Sequence, residues 1–257
     1  MDHQKIDQAT VGVRTELARV EHHAVVDSTN TLALQRLADG TETPFLISAD
    51  QQTAGRGRSG NSWWSPPGAI MMTLVLERTE SAAELPPYSL VVGLAVRDAL
   101  QALSPDVDLK VKWPNDVYLQ DRKVCGILVE VPPNNRTRLV IGIGVNINNS
   151  VMSAPDELRQ RVVSMRDIHG HTFCRTTVLA NIVNAVQTEV LNLDSEKLCE
   201  RWSEHCWLTS KLVGITRGER TDEGICQGIN NTGALMLQQS NGLLAVSSGV
   251  VTRAENL

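Results

Sequence analysis

Apolar positions in the first part of this chain follow the spacing of β-strands. In residues 107–113 apolar side chains alternate with charged ones, which predicts a half-buried strand with Lys112 on its polar face. Pro114 ends this strand, because proline cannot donate to a sheet. Strand-like runs at 117–119 and 124–130 flank a polar stretch and predict a hairpin. Further strands are predicted at 45–48, 69–77 and 139–147.

Helical spacing governs four other segments. Residues 27–30, Asp-Ser-Thr-Asn, are good N-cap residues in a row, and Gly40 is a stop signal for the helix that follows them. A long buried helix is predicted after Pro86 and Pro87, with its apolar residues in 90–96. Two more helices are predicted in 179–190 and 196–205.

The pattern changes again beyond about Trp207, where short apolar runs alternate with turn residues. Asn-Gly within 240–242 lies between apolar runs, which is a strong hairpin signal, and 231–233 is a further turn. We therefore expect a small all-β region of about fifty residues, too small for a large core of its own. Residues 1–20, by contrast, are polar and too few to form a domain.

The composition is that of a globular protein without general affinity for nucleic acid. Of the 257 residues, 42% are hydrophobic, and the net charge is −5, so any anion site must be local. No apolar run reaches the length of a membrane span, and the N-terminus lacks the apolar segment of a signal peptide. Five cysteines without a C-x-x-C pair favour reduced thiols and a cytoplasmic location over disulfides or a zinc site.

Residues 55–60, Gly-Arg-Gly-Arg-Ser-Gly, fit the G-x-G-x-x-G pattern of dinucleotide-binding loops. That pattern has meaning only where a helix opens on its last glycine, and Pro-Pro-Gly at 66–68 does not allow one. Two arginines also lie within the spacing, where a dinucleotide loop relies on backbone amides. We predict instead a flexible loop whose guanidinium groups bind a carboxylate or a phosphate. The alternative is a solvated surface loop.

Three polar clusters are candidates for chemistry, although each has an ordinary structural explanation. The hydroxyls and the amide of residues 28–30 either recognise a polar head group or simply cap a helix. The arginine loop with Gln52 could hold an anion. The third cluster is 112–116, with Lys123 and Gly126. It is either an ordinary strand, turn and hairpin with charged tips, or a site where Asp116 helps to place a magnesium-bound nucleotide. Two lysines there could neutralise charge that builds during acyl or nucleotidyl transfer.

Taken in order, these motifs resemble those of the biotin protein ligase family, whose members are also called biotin–[acetyl-CoA-carboxylase] ligases. The resemblance runs from about residue 21 to the end of the chain, and the ordered set is specific although each motif alone is weak. The motifs are 27–30 (DSTN), 52–60 (QTAGRGRSG), Trp63 with 65–66 (SP), 112–116 (KWPND), 123–130 (KVCGILVE), 142–148 (GIGVNIN), 228–229 (GI) and 233–235 (GAL).

The resemblance implies an α+β fold. It implies a mixed-sheet catalytic domain of the biotin/lipoate ligase type at 21–207, which binds biotin and ATP. A small all-β domain resembling an SH3 barrel would follow at 208–257, and residues 1–20 would be an N-terminal tail. Some members carry an N-terminal helix-turn-helix repressor domain, but about 20 residues are too few for that fold. We therefore expect no sequence-specific DNA binding.

The resemblance also implies ATP-dependent formation of biotinyl-5′-AMP and transfer of biotin to a lysine of a biotin carboxyl carrier protein or domain. Mg²⁺ would accompany the nucleotide near Asp116, without a dedicated metal site. Lys123, Arg58 and Lys112 would be catalytic. Biotin would be bound by Ser28, Thr29, Asn30, Gln52, Arg56, Gly57, Arg58, Lys123 and Gly126. ATP and the adenylate would be bound by Trp63, Lys112, Asn115, Asp116 and Asn146.

Two positions depart from the family pattern. Cys125 stands where many members have a small residue such as alanine, and Gly249 stands where members often carry an acidic one. The rival assignments are a lipoate or octanoate ligase and a non-catalytic biotin-binding regulator. The complete Ser-Thr-Asn and arginine-loop set favours biotin, and both lysines favour catalysis. A homodimer is compatible with the sequence, and no membrane association is expected.

Overall fold

The structure is a computed structural model that describes residues 5–78 and 86–256 of the chain. The first four residues of the predicted N-terminal tail lie outside this part. Within it, one sheet of seven strands forms the centre of the larger region, in the order β1-β2-β3-β7-β6-β5-β4. The strands are β1 (Arg19–Val26), β2 (Phe45–Gln52), β3 (Ile70–Glu77), β4 (Leu109–Lys112), β5 (Asp116–Leu119), β6 (Arg122–Glu130) and β7 (Arg138–Val145).

The sheet is mixed, because only the β1–β2 pair is parallel and the other pairs are antiparallel. Helices cover it on both faces. In the described ranges these helices are α1 (Gln8–Thr15), α2 (Thr29–Ala38), α3 (Pro86–Gln101), α4 (Asp156–Arg159), α5 (Met165–His169), α6 (Arg175–Leu191) and α7 (Ser195–His205).

Alternation along the strands divides the core between the two faces. Phe45 and Ile47 of β2 pack with Ala33 of α2, whereas Leu46 between them belongs to the larger core under α3 and α6. The helices α3 and α6 also pack on each other. Trp202 of α7 is fully buried in this larger core. The face of the sheet opposite α2 therefore buries most of the apolar side chains. The first residues of α2 line the cavity described below.

A second sheet of five antiparallel strands follows, in the order β11-β10-β9-β8-β12. Its strands are β8 (Leu212–Arg217), β9 (Arg220–Ile229), β10 (Leu235–Gln239), β11 (Gly242–Val246) and β12 (Val250–Glu255). The indole of Trp113, which is buried beside β4, donates to the carbonyl of Gly233 at 3.1 Å. This bond ties the turn between β9 and β10 to the larger region.

The helices and strands predicted from the sequence are confirmed, including the hairpin that β5 and β6 form and the turn between β10 and β11. Two elements near the N-terminus were not predicted. The strand β1 was missed because charged and histidine side chains interrupt its alternation, as suits a strand at the sheet edge. The helix α1 lies within the polar residues 1–20, and Val11 of this helix is fully buried where α1 packs on α6.

Among the described residues, no helix is both long enough and apolar enough to span a membrane.

Candidate functional site

The three polar clusters of the sequence meet at one cavity of about 210 Å³. Its floor is the middle of the large sheet, where β3, β6 and β7 contribute residues, and its roof is the loop of residues 56–63. Residues 249–251 from the second sheet also line it. The predicted site residues on its wall are Ser28, Thr29, Asn30, Gln52, Arg56, Gly57, Arg58, Trp63, Lys112, Asn115, Asp116, Lys123 and Gly126.

The start of α2 presents buried polar groups to this cavity. Ser28 occupies the N-cap position, but its side chain makes no capping hydrogen bond. Thr29 donates through its backbone amide and its hydroxyl to Oε1 of Gln52, at 2.8 and 3.1 Å. Thr73 of β3 donates to Oδ1 of Asn30 at 2.6 Å and lies 2.8 Å from the hydroxyl of Thr29. Helix capping alone therefore does not explain these residues, which form one hydrogen-bonded group.

The arginine loop does not open a helix. Arg58–Gly60 is a single 3₁₀ turn, and the amide of Gly57 donates to the carbonyl of Asn61 at 2.7 Å, so the loop closes on itself. The prediction that no helix opens on the last glycine of this pattern is confirmed. The side chain of Arg58 instead reaches across the cavity and donates to Oδ1 of Asn115 at 3.1 Å.

Glu130, at the end of β6, contacts both the arginine loop and α2. Its carboxylate accepts from Nη2 of Arg56 at 2.6 Å through one oxygen and from Nδ2 of Asn30 at 2.8 Å through the other. The carboxylate therefore links the loop to the hydrogen-bonded group at the start of α2. Its side chain is 26% exposed, so the ion pair is only partly screened by solvent.

Cationic groups converge on the opposite side of the cavity. Nζ of Lys123 lies 2.7 Å from the Asp116 carboxylate, and Nζ of Lys112 donates to the hydroxyl of Tyr118 at 2.8 Å. Burial lowers the pKa of Lys112, and attraction to Asp116 opposes that shift. Burial also lowers the pKa of Arg58. Three cations with one carboxylate between them suit a ligand that brings its own negative charge.

Three glycines leave room for groups to approach the floor of the cavity. A Cβ on Gly142 would overlap the Asn30 amide, and one on Gly144 would overlap the Trp63 indole. A Cβ on Gly126 would lie 2.8 Å from Trp63 and 3.0 Å from Nζ of Lys123. Gly142 and Gly144 are therefore positions where other groups approach the backbone closely. Both Trp63 and Lys123 depend on the absent side chain at Gly126.

Asn146 is the one predicted site residue, among those described, that does not line the cavity. It is buried just beyond β7, its amide donates to the carbonyl of Val124, and its side-chain oxygen accepts from Asn149. It is not part of the cavity wall described above. Cys125 is fully buried, which raises the pKa of its thiol and suits packing as a small apolar residue.

Gly249 does border the cavity, although it lacks the acidic side chain that its family position often has. Its φ is +135°, and an added Cβ would meet Ile215 and lie 3.0 Å from Arg217. Glycine is therefore the residue that this backbone accepts. The second sheet meets the site here through backbone and through the valines that follow.

Comparison with known proteins shows which family this chain is similar to. The profile of the Biotin/lipoate A/B protein ligase family matches residues 23–148. The chain is 33% identical over 220 residues to the bifunctional ligase/repressor BirA of Escherichia coli K12, across 84% of this chain and 68% of that protein. It is 31% identical over 237 residues to the biotin–[acetyl-CoA-carboxylase] ligase of Paracoccus denitrificans, across 89% of this chain and 98% of that one.

The chain belongs to the biotin protein ligase family. Its architecture agrees, because the biotin protein ligase from Aquifex aeolicus, solved in complex with biotin and ATP, matches it with a TM-score of 0.80 at 26% identity. The match covers 93% of this chain and all of that structure. The α+β fold predicted for this biotin protein ligase, with a mixed sheet followed by an all-β region, is confirmed.

Two residues that hydrogen-bond to residues of this ligase site, Thr73 and Glu130, were not predicted from the sequence. Thr73 is a lone polar residue in an otherwise apolar run of β3, a signal that could have marked it. Glu130 closes a recognised motif, but nothing in its local pattern shows that it faces Arg56, which lies 74 residues earlier. Among the described residues, no group of three or more histidine, cysteine, aspartate or glutamate side chains is placed to hold a metal ion.

Proposed function

We propose that this biotin–[acetyl-CoA-carboxylase] ligase carries out two reactions in the one cavity. In the first, a carboxylate oxygen of biotin attacks the α-phosphorus of ATP, which forms biotinyl-5′-AMP and releases pyrophosphate. In the second, the neutral amine of a carrier lysine attacks the carbonyl carbon of that mixed anhydride, which forms an amide and releases AMP. The observation that supports this course is the meeting of an amide-and-hydroxyl group with Arg58, Lys112 and Lys123 in a single cavity.

The start of α2 is proposed to recognise the ureido ring of biotin. A ureido group offers two N–H donors and one carbonyl acceptor, and the buried side chains of Ser28, Thr29 and Asn30, with the half-buried Gln52, offer both kinds of partner. Because Thr29 is already bonded to Gln52 and Asn30 to Thr73, little ordering of these side chains remains when the ring binds. Such a site rejects acids that lack the ring, since its buried polar groups would stay unpaired.

The arginine loop is proposed to close over the adenylate. Arg56 and Arg58 offer planar donors to carboxylate and phosphate oxygens, and Gly57 lets the backbone between them approach the ligand. A loop that orders on binding also keeps water from the anhydride until the carrier arrives. The ion pair of Arg56 with Glu130 and the bond of Arg58 with Asn115 support a loop that already rests near its closed position.

Lys123 is proposed to act on the reacting centre and Lys112 on the nucleotide. Lys123 lies beside Gly126 on β6, above the floor on which the biotin tail would rest. Its charge would offset the repulsion between the biotin carboxylate and the α-phosphate and stabilise the charge that builds between them. Lys112 lies on the strand that leads into Asn115 and Asp116, and it would bind the phosphates in the ground state.

The nucleotide side is proposed to include Trp63, Asn115, Asp116 and Asn146. Asp116 is the carboxylate on the described cavity wall, which fits a Mg²⁺ that arrives with ATP and takes one protein ligand. When bound, Mg²⁺ would neutralise phosphate charge. Asn146 does not line the cavity itself, but its amide bonds the carbonyl of Val124, next to Lys123.

The proposed partner is the lysine-bearing carrier domain of a carboxylase, such as that of acetyl-CoA carboxylase.

Three further properties remain predictions: the domain boundaries at 21–207 and 208–257, a cytoplasmic location and a homodimer. So does the lack of sequence-specific DNA binding, which a gel shift at physiological salt with excess nonspecific competitor would test. A shifted promoter complex that survives the competitor would contradict it.

Substrate choice tests the proposed function. With Mg-ATP, biotin should trigger pyrophosphate release, and lipoate should do so far less, because lipoate has no ureido group to pair with the start of α2. Turnover measured side by side with the two acids decides between biotin and lipoate chemistry. Equal release with both acids, or none with biotin, would contradict the assignment. Release without transfer to any carrier would instead favour a regulatory role.

A further inference from the structure

The ammonium group of Lys112 lies beside a pair of aromatic rings. Its Nζ is 4.8 Å from the centroid of the Tyr118 ring and 5.2 Å from that of the Trp207 ring, both within the range of a cation–π contact. The two ring centroids are 4.9 Å apart at 43°, so the rings pack on each other beside the lysine. The hydroxyl of Tyr118 adds a hydrogen bond at 2.8 Å.

Trp207 is itself fixed by three contacts from different segments. Its backbone amide donates to the carbonyl of Val111 at 2.8 Å, which aligns the segment after α7 with β4. Its indole Nε1 donates to Asp121 in the β5–β6 turn at 2.6 Å. Nζ of Lys211, just before β8, lies 3.4 Å from the centroid of its ring. The ring is therefore held from the sheet, the hairpin and the second sheet together.

Neither ring belongs to the groups assigned above to biotin, the loop or the nucleotide. Tyr118 lies on β5, and Trp207 lies where the larger region ends, outside the motifs that identify the family. Yet both surround a lysine that reaches the cavity wall. The carboxylate nearest the site, Asp116, is engaged by Lys123 at 2.7 Å. The direct contacts of the Lys112 ammonium are therefore the two rings and the tyrosine hydroxyl, and Asp116 adds attraction at longer range.

We propose that Tyr118 and Trp207 are positioning residues that hold Lys112 in its nucleotide-binding orientation. This inference rests on the proposed role of Lys112. A lysine side chain has four rotatable carbon links and a compact charge, so it loses considerable rotamer freedom when it must meet one phosphate. Rings that hold the ammonium in place before ATP arrives reduce that loss on binding. The faces of both rings attract a cation and leave its remaining N–H donors available.

Two substitutions at Trp207 separate the ring from mere packing. Trp207→Leu removes the aromatic face, and it should raise KM for ATP about threefold to tenfold, as expected for loss of one cation–π contact and the order it imposes. KM for biotin should stay unchanged, and kcat should change little. Trp207→Phe keeps a ring, and it should restore KM for ATP most of the way toward that of the parent enzyme. Tyr118→Phe should fall between the two, because it loses the hydroxyl alone.

A double-mutant cycle with Lys112→Ala tests whether the rings act through the lysine. If they do, Trp207→Leu should raise KM for ATP no further in the Lys112→Ala background. Lys197→Ala is the control for loss of an ammonium group, because Lys197 lies on α7, pairs with Asp194 at 3.5 Å and should leave both KM values unchanged. Thermal unfolding of each variant checks that the fold is intact.

The outcomes distinguish this inference from the proposed function. Additive effects in the cycle, or equal rises in KM for ATP and biotin, would overturn the positioning role of Trp207 while leaving biotin ligation intact. A Lys112→Ala enzyme with normal KM for ATP would overturn the role of Lys112 and the positioning roles with it. Failure of the parent enzyme to form biotinyl-AMP would instead contradict the proposed function.

Discussion

In the proposed reaction, Lys123 acts where the biotin carboxylate and the α-phosphate meet; in the structure Asp116 lies on one side of it and the Trp63 ring is 5.5 Å from its Nζ. A charge that acts mainly in the transition state lowers the rate when it is removed, whereas a ground-state contact mainly changes KM. Lys123→Ala should therefore slow single-turnover adenylation on the order of a hundredfold or more, as for other preorganised electrostatic donors. A folded variant with a near-normal rate would rule out the catalytic role.

Replacement by arginine is the matched test of geometry at the same position. Lys123→Arg keeps the charge, but a planar guanidinium needs more room than Gly126 and Trp63 leave beside Nζ. We expect only partial recovery of the single-turnover rate. Full recovery would show that charge alone is required there, and that the crowding around Gly126 has no catalytic consequence.

Arg58 is expected to act on retention of the adenylate. Arg58→Ala removes a half-buried charged donor that spans the cavity to Asn115, while the polar group at the start of α2 remains. Release or hydrolysis of preformed biotinyl-AMP should be faster by about tenfold or more, as expected for losing a charged hydrogen-bond donor. The affinity for biotin alone should change much less. Stopped-flow release and equilibrium binding give the two values, and a variant that loses biotin binding but keeps the adenylate would refute the lid role.

At the scale of elements, Glu130 joins β6 to the arginine loop. Glu130→Gln keeps an acceptor for Asn30 but loses the charge that pairs with Arg56. Loss of biotinyl-AMP should be about twofold to fivefold faster, which matches one partly exposed ion pair of roughly 0.5–1 kcal/mol. Biotin affinity should hold, because the ring contacts remain.

The matched control for this change is Glu77→Gln. Glu77 pairs with Arg138 at the same 2.6 Å, at the end of β3 where it pairs with β7, and takes no part in the cavity wall. It should leave the lifetime of biotinyl-AMP unchanged. If both variants shorten that lifetime equally, the effect belongs to general loss of ion pairing, and the link between Glu130 and the loop is wrong.

The strands and helices that bury one regular face could be predicted from the sequence. The alternation at 107–113 and the helical spacing at 179–190 both reflect burial against one core, and the structure contains β4 and α6 there. The edge strand β1 could not, because burial along it does not follow polarity: the charged Glu21 is buried beside Val20, whereas Val25 is exposed. Contacts such as Glu130 with Arg56 depend on chain pairing across 74 residues, which no local pattern encodes.

For the whole molecule, the family could be identified from the order of the motifs along the chain, whereas each motif alone was a weak signal. The three polar clusters lie far apart in the chain, at 28–30, 52–60 and 112–126, yet the sheet brings them to one cavity. The roles of single residues needed the fold. Asn146 shared the motif pattern but lies off the cavity wall, and Trp207 lacked any motif but contacts Lys112.

Ligand binding should also be visible in the stability of the whole chain. A ligand that binds only the folded state raises the free energy of unfolding with the logarithm of the ratio of its concentration to Kd. The gain is about 2.7 kcal/mol at a concentration one hundred times Kd. Biotin with Mg-ATP should therefore raise the midpoint of thermal unfolding more than either substrate alone, because the loop closes over the adenylate. A sum of the two separate shifts, with no added gain, would argue against closure.

The most direct measurement is the mass of a biotin carboxyl carrier domain after incubation with this ligase, biotin and Mg-ATP. One biotinyl group should appear on the carrier lysine, only when ATP is present, and none when that lysine is replaced by arginine. A carrier whose mass stays unchanged in the complete mixture, or one labelled equally well without ATP, would contradict ATP-dependent transfer of biotin by this chain.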